Sequence, residues 1–408
     1  MHRLPSIKGP LSSLLLLAAG SAQAGVVFTP HLAEYAPAPP GQYTEAVLIL
    51  TEIEEAYNRD GDKVHSGAPF IRPGESIDAA LLTFKSLWVG NLFRDTDVWY
   101  LKDHAQFCRL IGTLGHQQAT GAAVARGLTA GQASGASGFG DLFGLCGIYG
   151  SEHHYGPLKF NTVLAGTVKF PVGRYDTDSL LNTGTNYWSY IPQFALHASL
   201  FDRLSLDATF AWQFNDPNDK PAFGGLTPTR PADVRNIEGN LAWKFNERWY
   251  ADVGYSYRKS VGPNRYDQFS LTLEDQPLPP TTLCQSTQAL LGAAIPDPIC
   301  NAARFFFLEP RPGPYEDGGI ESHLLTAGVY YVYRASTVLN LRVAQPLRGR
   351  GGQIDAVYDL FLQDPDTPGA RPIPGGEVVS RQNAVQEAAA VSASPYLELR
   401  LVYLFWAP

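Results

Sequence analysis

Eleven titratable side chains of this 408-residue chain share the wet parity of its alternating segments. Lys159, Lys169, His197, Asp207, Glu238, Lys244, Asp252, Arg258, Arg342, Glu398 and Arg400 all fall on the wet parity. The chemistry open to such a set is electrostatic. It would line a narrow aqueous channel or close on itself as a lattice of ion pairs that fills a barrel. Facing lipid, each such charge would cost roughly 2–4 kcal/mol near the bilayer midplane, so an inward position is expected.

Other reactive residue types form no comparable set. His153-His154 sits in a short connection with no third metal ligand nearby in sequence, so a solvated turn is expected there. Asp60-Gly61-Asp62 has the beginning of a calcium-loop spacing but lacks the downstream bidentate Glu, and a hairpin turn explains it. Gly-Ala-Ser-Gly at Gly135 to Gly138 is not a nucleophile elbow. No nucleophile–base arrangement is visible, so the chain reads as a non-enzyme with no metal and no cofactor. Of the four cysteines, Cys284 and Cys300 fall in one long loop, where a disulfide would close about 15 residues and contribute on the order of 3 kcal/mol. Cys108 and Cys146 fall on consecutive strands, and pairing and free thiols both stay open.

The elements that carry these residues are strands. From Arg203 to Asn215, Leu204, Leu206, Ala208, Phe210, Trp212 and Phe214 alternate with Ser205, Asp207, Thr209, Ala211 and Gln213. Period 2 with that contrast is a strand with one lipid or core face and one wet face. Similar alternation runs through Ile237–Phe245, Trp249–Arg258, Leu339–Val343 and Leu397–Phe405. Seven further segments are expected at Tyr43–Tyr57, Glu75–Val89, Asp97–Ile111, Phe139–Gly150, Pro157–Pro171, Asn186–Phe201 and Gly319–Arg334.

The spacing predicts an all-β, up-and-down antiparallel transmembrane barrel of about twelve strands, with ten or fourteen as alternatives. Short connections at Gly90–Thr96, Ser151–Gly156, Asp202, Asn246-Glu247 and Ala335-Ser336 alternate with long ones. The long ones are Asn58–Glu75, Gly112–Gly138, Val172–Thr185, Asp216–Pro231, Gly262–Gly318 and Arg348–Ala393. With both ends in the periplasm, every long loop lies outside and every short turn inside. Within the last loop, the Ala-rich stretch Gln382–Ala393 is expected to favour a short helix.

The N-terminus fits export. Arg3 and Lys8 precede an apolar block from Leu11 to Ala19, then Ala22-Gln23-Ala24 before Gly25, which predicts a cleavable signal over residues 1–24. Residues 25–42, with four prolines and no periodicity, read as a leader or a plug folding into the lumen of a barrel formed by residues 43–408. Loss of the signal's two basic residues takes the formal charge from −8 to −10, a sign that argues against nucleic acid as a partner.

One stretch carries more than a generic barrel. Pro171-Val172-Gly173-Arg174-Tyr175-Asp176 is followed by Leu181-Asn182-Thr183-Gly184-Thr185-Asn186-Tyr187-Trp188 and Pro192. It resembles the signature of the phenol meta-degradation pathway outer-membrane protein family, as do Gly138–Leu142 and Phe214–Asn218. Pro171, Gly173, Tyr175, Asp176, Asn182, Gly184, Asn186, Tyr187 and Trp188 are the residues that match, and they are expected at the outer rim. There Asn186-Tyr187-Trp188 would open a strand in the aromatic girdle, in a structural role. The resemblance implies an outer-membrane protein that helps small hydrophobic or aromatic compounds cross, its partners being the solute, outer-membrane lipid and lipopolysaccharide. A monomer or weak oligomer is expected. A general diffusion pore for polar solutes and a structural or adhesive barrel stay as alternatives.

Overall fold

The computed structural model describes residues 35–64, 77–91, 104–119, 135–177, 181–221, 228–266, 306–310, 315–334, 336–362, 378–389 and 391–406, and statements of absence below refer to these. Twelve antiparallel strands close a barrel. They are β1 (Gly41–Ile53), β2 (Ile77–Gly90), β3 (Gln106–Ala119), β4 (Leu142–Tyr149), β5 (Leu158–Phe170) and β6 (Ser189–Leu200). The second half is β7 (Leu204–Asn215), β8 (Asp233–Lys244), β9 (Trp249–Val261), β10 (Glu321–Arg334), β11 (Thr337–Arg350) and β12 (Tyr396–Trp406). Each strand pairs with its sequence neighbour. The ring closes where β1 pairs with both β2 (Ala46↔Phe84) and β12 (Ala46↔Leu401). Closure leaves no unpaired edge, which is what lets strands cross a membrane. No helix of the described residues is long and apolar enough to do so.

The alternation read from sequence decides which side chains face in. On β7, Asp207, Thr209, Ala211 and Gln213 are buried, whereas Leu206, Phe210 and Phe214 are exposed on the outer surface. On β9, Asp252, Ser256 and Arg258 point inward against outward Trp249, Val253 and Tyr255. A one-residue slip would turn every charge to the lipid, so these strands tolerate one register. The tight turns hold it. Phe201 and Asp202 take positive φ of 56° and 52°, the two-residue geometry that matches strand twist. Asn246 Oδ1 accepts from the Arg248 and Trp249 amides at 2.9 and 3.1 Å.

Four expectations from sequence need correction. The third strand lies at Gln106–Ala119, not Asp97–Ile111, so most of the segment read as the start of a Gly/Ala loop is strand. Its inner connection spans residues 91–105 and is not short. Lys102, Asp103 and His104 interrupt the sequence upstream, whereas Gly112 and Gly115 are accommodated in the ladder, paired with Phe84 and Leu81. Gly135–Phe139 is also strand, pairing with Leu114–Gln118, so the outer loop here is shorter than Gly112–Gly138. The Ala-rich stretch is not a helix: Val378–Ala389 is a strand paired with Gly352–Leu362, which in turn pairs with Phe306–Pro310. A non-local partner overrides the helix propensity of alanine. That three-stranded sheet joins the two longest outer loops.

Cys108 and Cys146, cross-strand partners on β3 and β4, form a disulfide with Cα atoms 4.1 Å apart. Its 38-residue separation corresponds to roughly 4 kcal/mol of loop-closure entropy in the chain-entropy account. Cys284 and Cys300 lie outside the described residues, as do residues 1–34 and much of the Gly262–Gly318 loop. Asp60-Gly61-Asp62 is a turn, with Asn58 Oδ1 accepting from the amides of Asp60 at 3.0 Å and Asp62 at 2.8 Å.

Candidate functional site: the barrel lumen

One wall of the lumen is ionic. Glu45 on β1 pairs with Lys85 on β2 at 2.9 Å and with Arg400 on β12 at 2.7 Å. Beside Arg400 on the same parity stands buried Glu398, which interacts electrostatically with Arg342, Arg400 and Lys85. Arg342 crosses β10 to reach Asp252 at 2.7 Å, with both side chains fully buried. Asp252 Oδ2 also accepts from Tyr330 at 2.8 Å and Asn240 at 3.0 Å. Gly328 makes room for the crossing, since a Cβ there would run into Asp252 Oδ1 and sit 3.1 Å from Asn340 Nδ2. Opposite charges thus face one another across β1, β2, β9, β11 and β12. Unpaired, each would be costly to bury.

The other wall is apolar. Phe107 on β3, Leu145 and Tyr149 on β4, Val163 and Ala165 on β5, Ala195 on β6 and Val89 from β2 form one buried cluster. The Phe107 and Tyr149 rings lie 4.8 Å apart. Tyr35, from the segment before β1, packs into this cluster. Its carbonyl accepts from Asn161 Nδ2 at 3.2 Å, and its amide donates to Asp207 Oδ1 at 3.4 Å. The same Asp207 oxygen meets His197 Nδ1 at 2.8 Å. Tyr35, ahead of β1, therefore lies within the inner part of the lumen.

Under the outer rim a third arrangement forms from the family-like motif. Between the Gly135–Phe139 strand and β4, Gly140 and Asp141 step out of the ladder. Asp141 Oδ1 accepts from the Gly173 amide at 3.1 Å, and Asp141 Oδ2 accepts from the Thr185 amide at 3.0 Å and from the Thr185 hydroxyl. Gly173 and Gly184 meet backbone to backbone: a Cβ on Gly173 would lie 2.7 Å from the Cα of Gly184 and from the carbonyl carbon of Gly140. Only glycine fits there. Asp176 and Asn182 close the loop reciprocally, by the Asp176 amide to Asn182 Oδ1 at 2.7 Å and Asn182 Nδ2 to the Asp176 carbonyl at 3.0 Å. Tyr175 donates to the Lys220 carbonyl at 2.7 Å.

Asn186 then takes a left-handed φ of 59°, steadied by its Nδ2 donating to Asn218 Oδ1 at 2.9 Å. The alternation of β6 begins directly after that turn. Tyr187 points inward and is buried, while Trp188 points outward against Phe170, ring centroids 5.2 Å apart. Lys169, buried at the end of β5, donates to Thr185 Oγ1, lies 3.9 Å from Asp141 Oδ2 and places its ammonium 3.5 Å from the Tyr187 ring centroid. Burial pushes the Tyr187 phenol well above its ordinary value, with Arg258 opposing and Asp141 reinforcing. Farther out, Tyr266 donates to Asp317 Oδ2 at 3.0 Å, and burial together with Asp317 pushes that phenol up.

Of the charged residues expected inside, Lys169, His197, Asp207, Glu238, Asp252, Arg258, Arg342, Glu398 and Arg400 all lie on the inner face. Lys159 and Lys244 do not line the lumen. They sit at the inner rim, paired with Asp202 and Glu247, each at 2.8 Å, because their strands end there. Tyr187 is no girdle residue. Glu45, Lys85 and Asp141 escaped sequence reasoning, although the parity of Glu45 and Lys85 on β1 and β2 held the signal. The His153-His154 pair is exposed on a short inner hairpin, with His154 Nε2 2.8 Å from Glu152. Among the described residues no group of three His, Cys, Asp or Glu side chains is placed to hold a metal.

Comparison with solved structures gives the COG4313 outer membrane channel from Pseudomonas putida F1 at 14% identity and a TM-score of 0.54, covering 92% of this chain and all of that one. At that identity the likeness shows the fold. The Pseudomonas putida toluene transporter TodX aligns at 11% identity over 94% of both chains, with a TM-score of 0.35, too low to bear on the fold. A comparison with curated proteins returned no match. The family model described as the MetA-pathway of phenol degradation matches residues 66–273, half of the chain, and that span takes in the rim loop built on Asp141, Gly173 and Asn186. The chain belongs to the phenol meta-degradation pathway family.

Proposed function

We propose that this protein is an outer-membrane channel for the passive uptake of small hydrophobic or aromatic compounds. The observation that carries the reading is the unlike pair of walls. A passage for ions or sugars is served by charges that face water on all sides. Here the inward charges are turned onto one another, and the apolar side chains inside gather in the cluster from Phe107 to Ala195, against which Tyr35 packs. A solute crossing there exchanges water for apolar contact, gaining about 25 cal/mol per Å² of apolar surface removed from water. Lipopolysaccharide is a poor solvent for such molecules, so a barrel that admits them has work to do. The family's name supports an aromatic solute in particular.

In this reading the long loops face outside and both chain ends face the periplasm, after removal of residues 1–24. The segment through Tyr35 restricts the inner mouth, so polar solutes pass poorly. Lys169, His197, Asp207, Glu238, Asp252, Arg258, Arg342, Glu398 and Arg400 shape the passage without carrying ions through it. The chain works as a monomer or weak oligomer and has no catalytic task.

Uptake of labelled phenol at low concentration, by cells with and without the gene, tests the proposal. Faster initial uptake with the gene, together with low single-channel current from the reconstituted barrel, is expected. Equal uptake in both, or a large steady current, overturns it.

A further inference from the structure

Beneath the outer rim, three parts of the fold converge on one six-membered ring. Lys169 comes from β5, Arg258 from β9 and Tyr187 from the loop before β6, and they are 1%, 3% and 3% exposed. The Lys169 ammonium lies 3.5 Å from the ring centroid, well inside the range over which a cation is drawn to an aromatic face. Asp141 and Thr185 hold that ammonium, and the Arg258 guanidinium acts on the phenol. Tyr187 shares the inward parity of Ser189 and Ile191 on β6. Asn186 takes the left-handed conformation, which L residues adopt rarely and Asn most readily, and the neighbours Trp188 and Tyr190 remain on the outer surface.

We propose that this cradle is a binding site for a phenolic ring, occupied at rest by the chain's own Tyr187, and that an incoming phenol enters the lumen by taking the place of Tyr187. The inference rests on the uptake reading and names its first binding step. The cation recognises the π face of the solute and the Arg258 charge attracts its hydroxyl oxygen, so a saturated ring of equal size, with the same hydroxyl and no π face, is discriminated against. Release of Tyr187 relaxes the Asn186 backbone, which gives the displaced side chain a route out of the cradle.

The test reads binding, not flux. Purified Tyr187→Ala protein, its folding verified by heat-modifiable migration on gels, is titrated with 4-fluorophenol and with 4-fluorocyclohexanol by fluorine NMR. Truncation should leave a ring-sized site of the kind that takes up small aromatics. Saturable 4-fluorophenol binding at least about tenfold tighter than in the wild type is expected, with 4-fluorocyclohexanol roughly threefold or more weaker. Adding Lys169→Met should erase the preference for the aromatic probe. If Tyr187→Ala does not fold, Tyr187→Val offers the same comparison with a smaller vacated space. Equal binding of the two probes, or binding no tighter than in the wild type, overturns the proposal. Ring binding by the variant without gene-dependent uptake keeps the site and sinks the uptake reading. Gene-dependent uptake without ring binding does the reverse.

Discussion

Arg342 on β11 and Phe107 on β3 are both enclosed by the barrel, at 0% and 2% exposure, but their surroundings are opposites. Arg342 belongs to a wall where each charge is held by a charge on another strand. Phe107 belongs to a wall built mainly of aliphatic and aromatic packing. A buried ion pair is strongly tied to its geometry, because removing either partner strands the other. An apolar cluster accepts a foreign apolar molecule at little cost in unmet hydrogen bonds. One wall therefore sets the shape of the lumen, and the other is, in the function proposed above, the path of the solute.

Breaking the ionic wall should have the largest effect. Arg342→Met leaves Asp252 without its cation and Glu398 with one fewer, and is expected to destabilise the barrel by about 3–5 kcal/mol in urea unfolding. Arg342→Met combined with Asp252→Asn should recover much of that loss. If the single variant unfolds like the wild type, the lattice does not hold that wall. On the apolar side, Phe107→Ala should cost about 3 kcal/mol, at the lower end for such a truncation because Tyr149 and Tyr35 border the space. The same unfolding measurement checks it, and a cost above that of Arg342→Met would invert the comparison.

A smaller effect is expected where the walls meet at the inner mouth. His197→Ala removes the partner of Asp207, which also anchors Tyr35. The cost should be roughly 1–2 kcal/mol, and single-channel current should rise as Tyr35 loosens. Unchanged current would separate Tyr35 from the restriction. The smallest effect lies at the inner rim, outside both walls. Hydrogen bonding and charge from Lys159 hold the Asp202 carboxyl below its usual range. With the folded value the lower one, the stabilisation is present above the unfolded value near 4 and fades as pH falls through the folded value. Lys159→Ala should lose this small contribution at neutral pH and match the wild type in strong acid. A gap between the two that stays constant with pH contradicts the assignment.

Much of this was legible in the sequence, and for a physical reason. Lipid on one face and charge on the other give a contrast of period 2, so the strands from β5 to β12 and the inward set from Lys169 to Arg400 can be read directly. The third strand could not, because Gly112 and Gly115 look like loop and their place in the ladder depends on β2. The Ala-rich stretch after Val378 became a strand by pairing with the preceding segment Gly352–Leu362, itself paired with Phe306–Pro310. Tyr187 was misplaced because it was read together with its neighbour Trp188 as girdle, although the odd parity it shares with inward Ser189 and His197 puts it inside. Lys159 and Lys244 had the right parity at the wrong height, since parity does not tell where a strand ends.

The central claim is that the apolar wall is the path of the solute. It is tested most directly by the initial uptake of labelled toluene in cells lacking the gene and supplied with wild-type protein, Leu145→Glu or nothing, with folded barrel in the outer membrane quantified for each. Uptake restored by the wild type and lost in Leu145→Glu at equal barrel content is the result expected. Equal uptake with Leu145→Glu and the wild type, or with no barrel at all, would contradict the account.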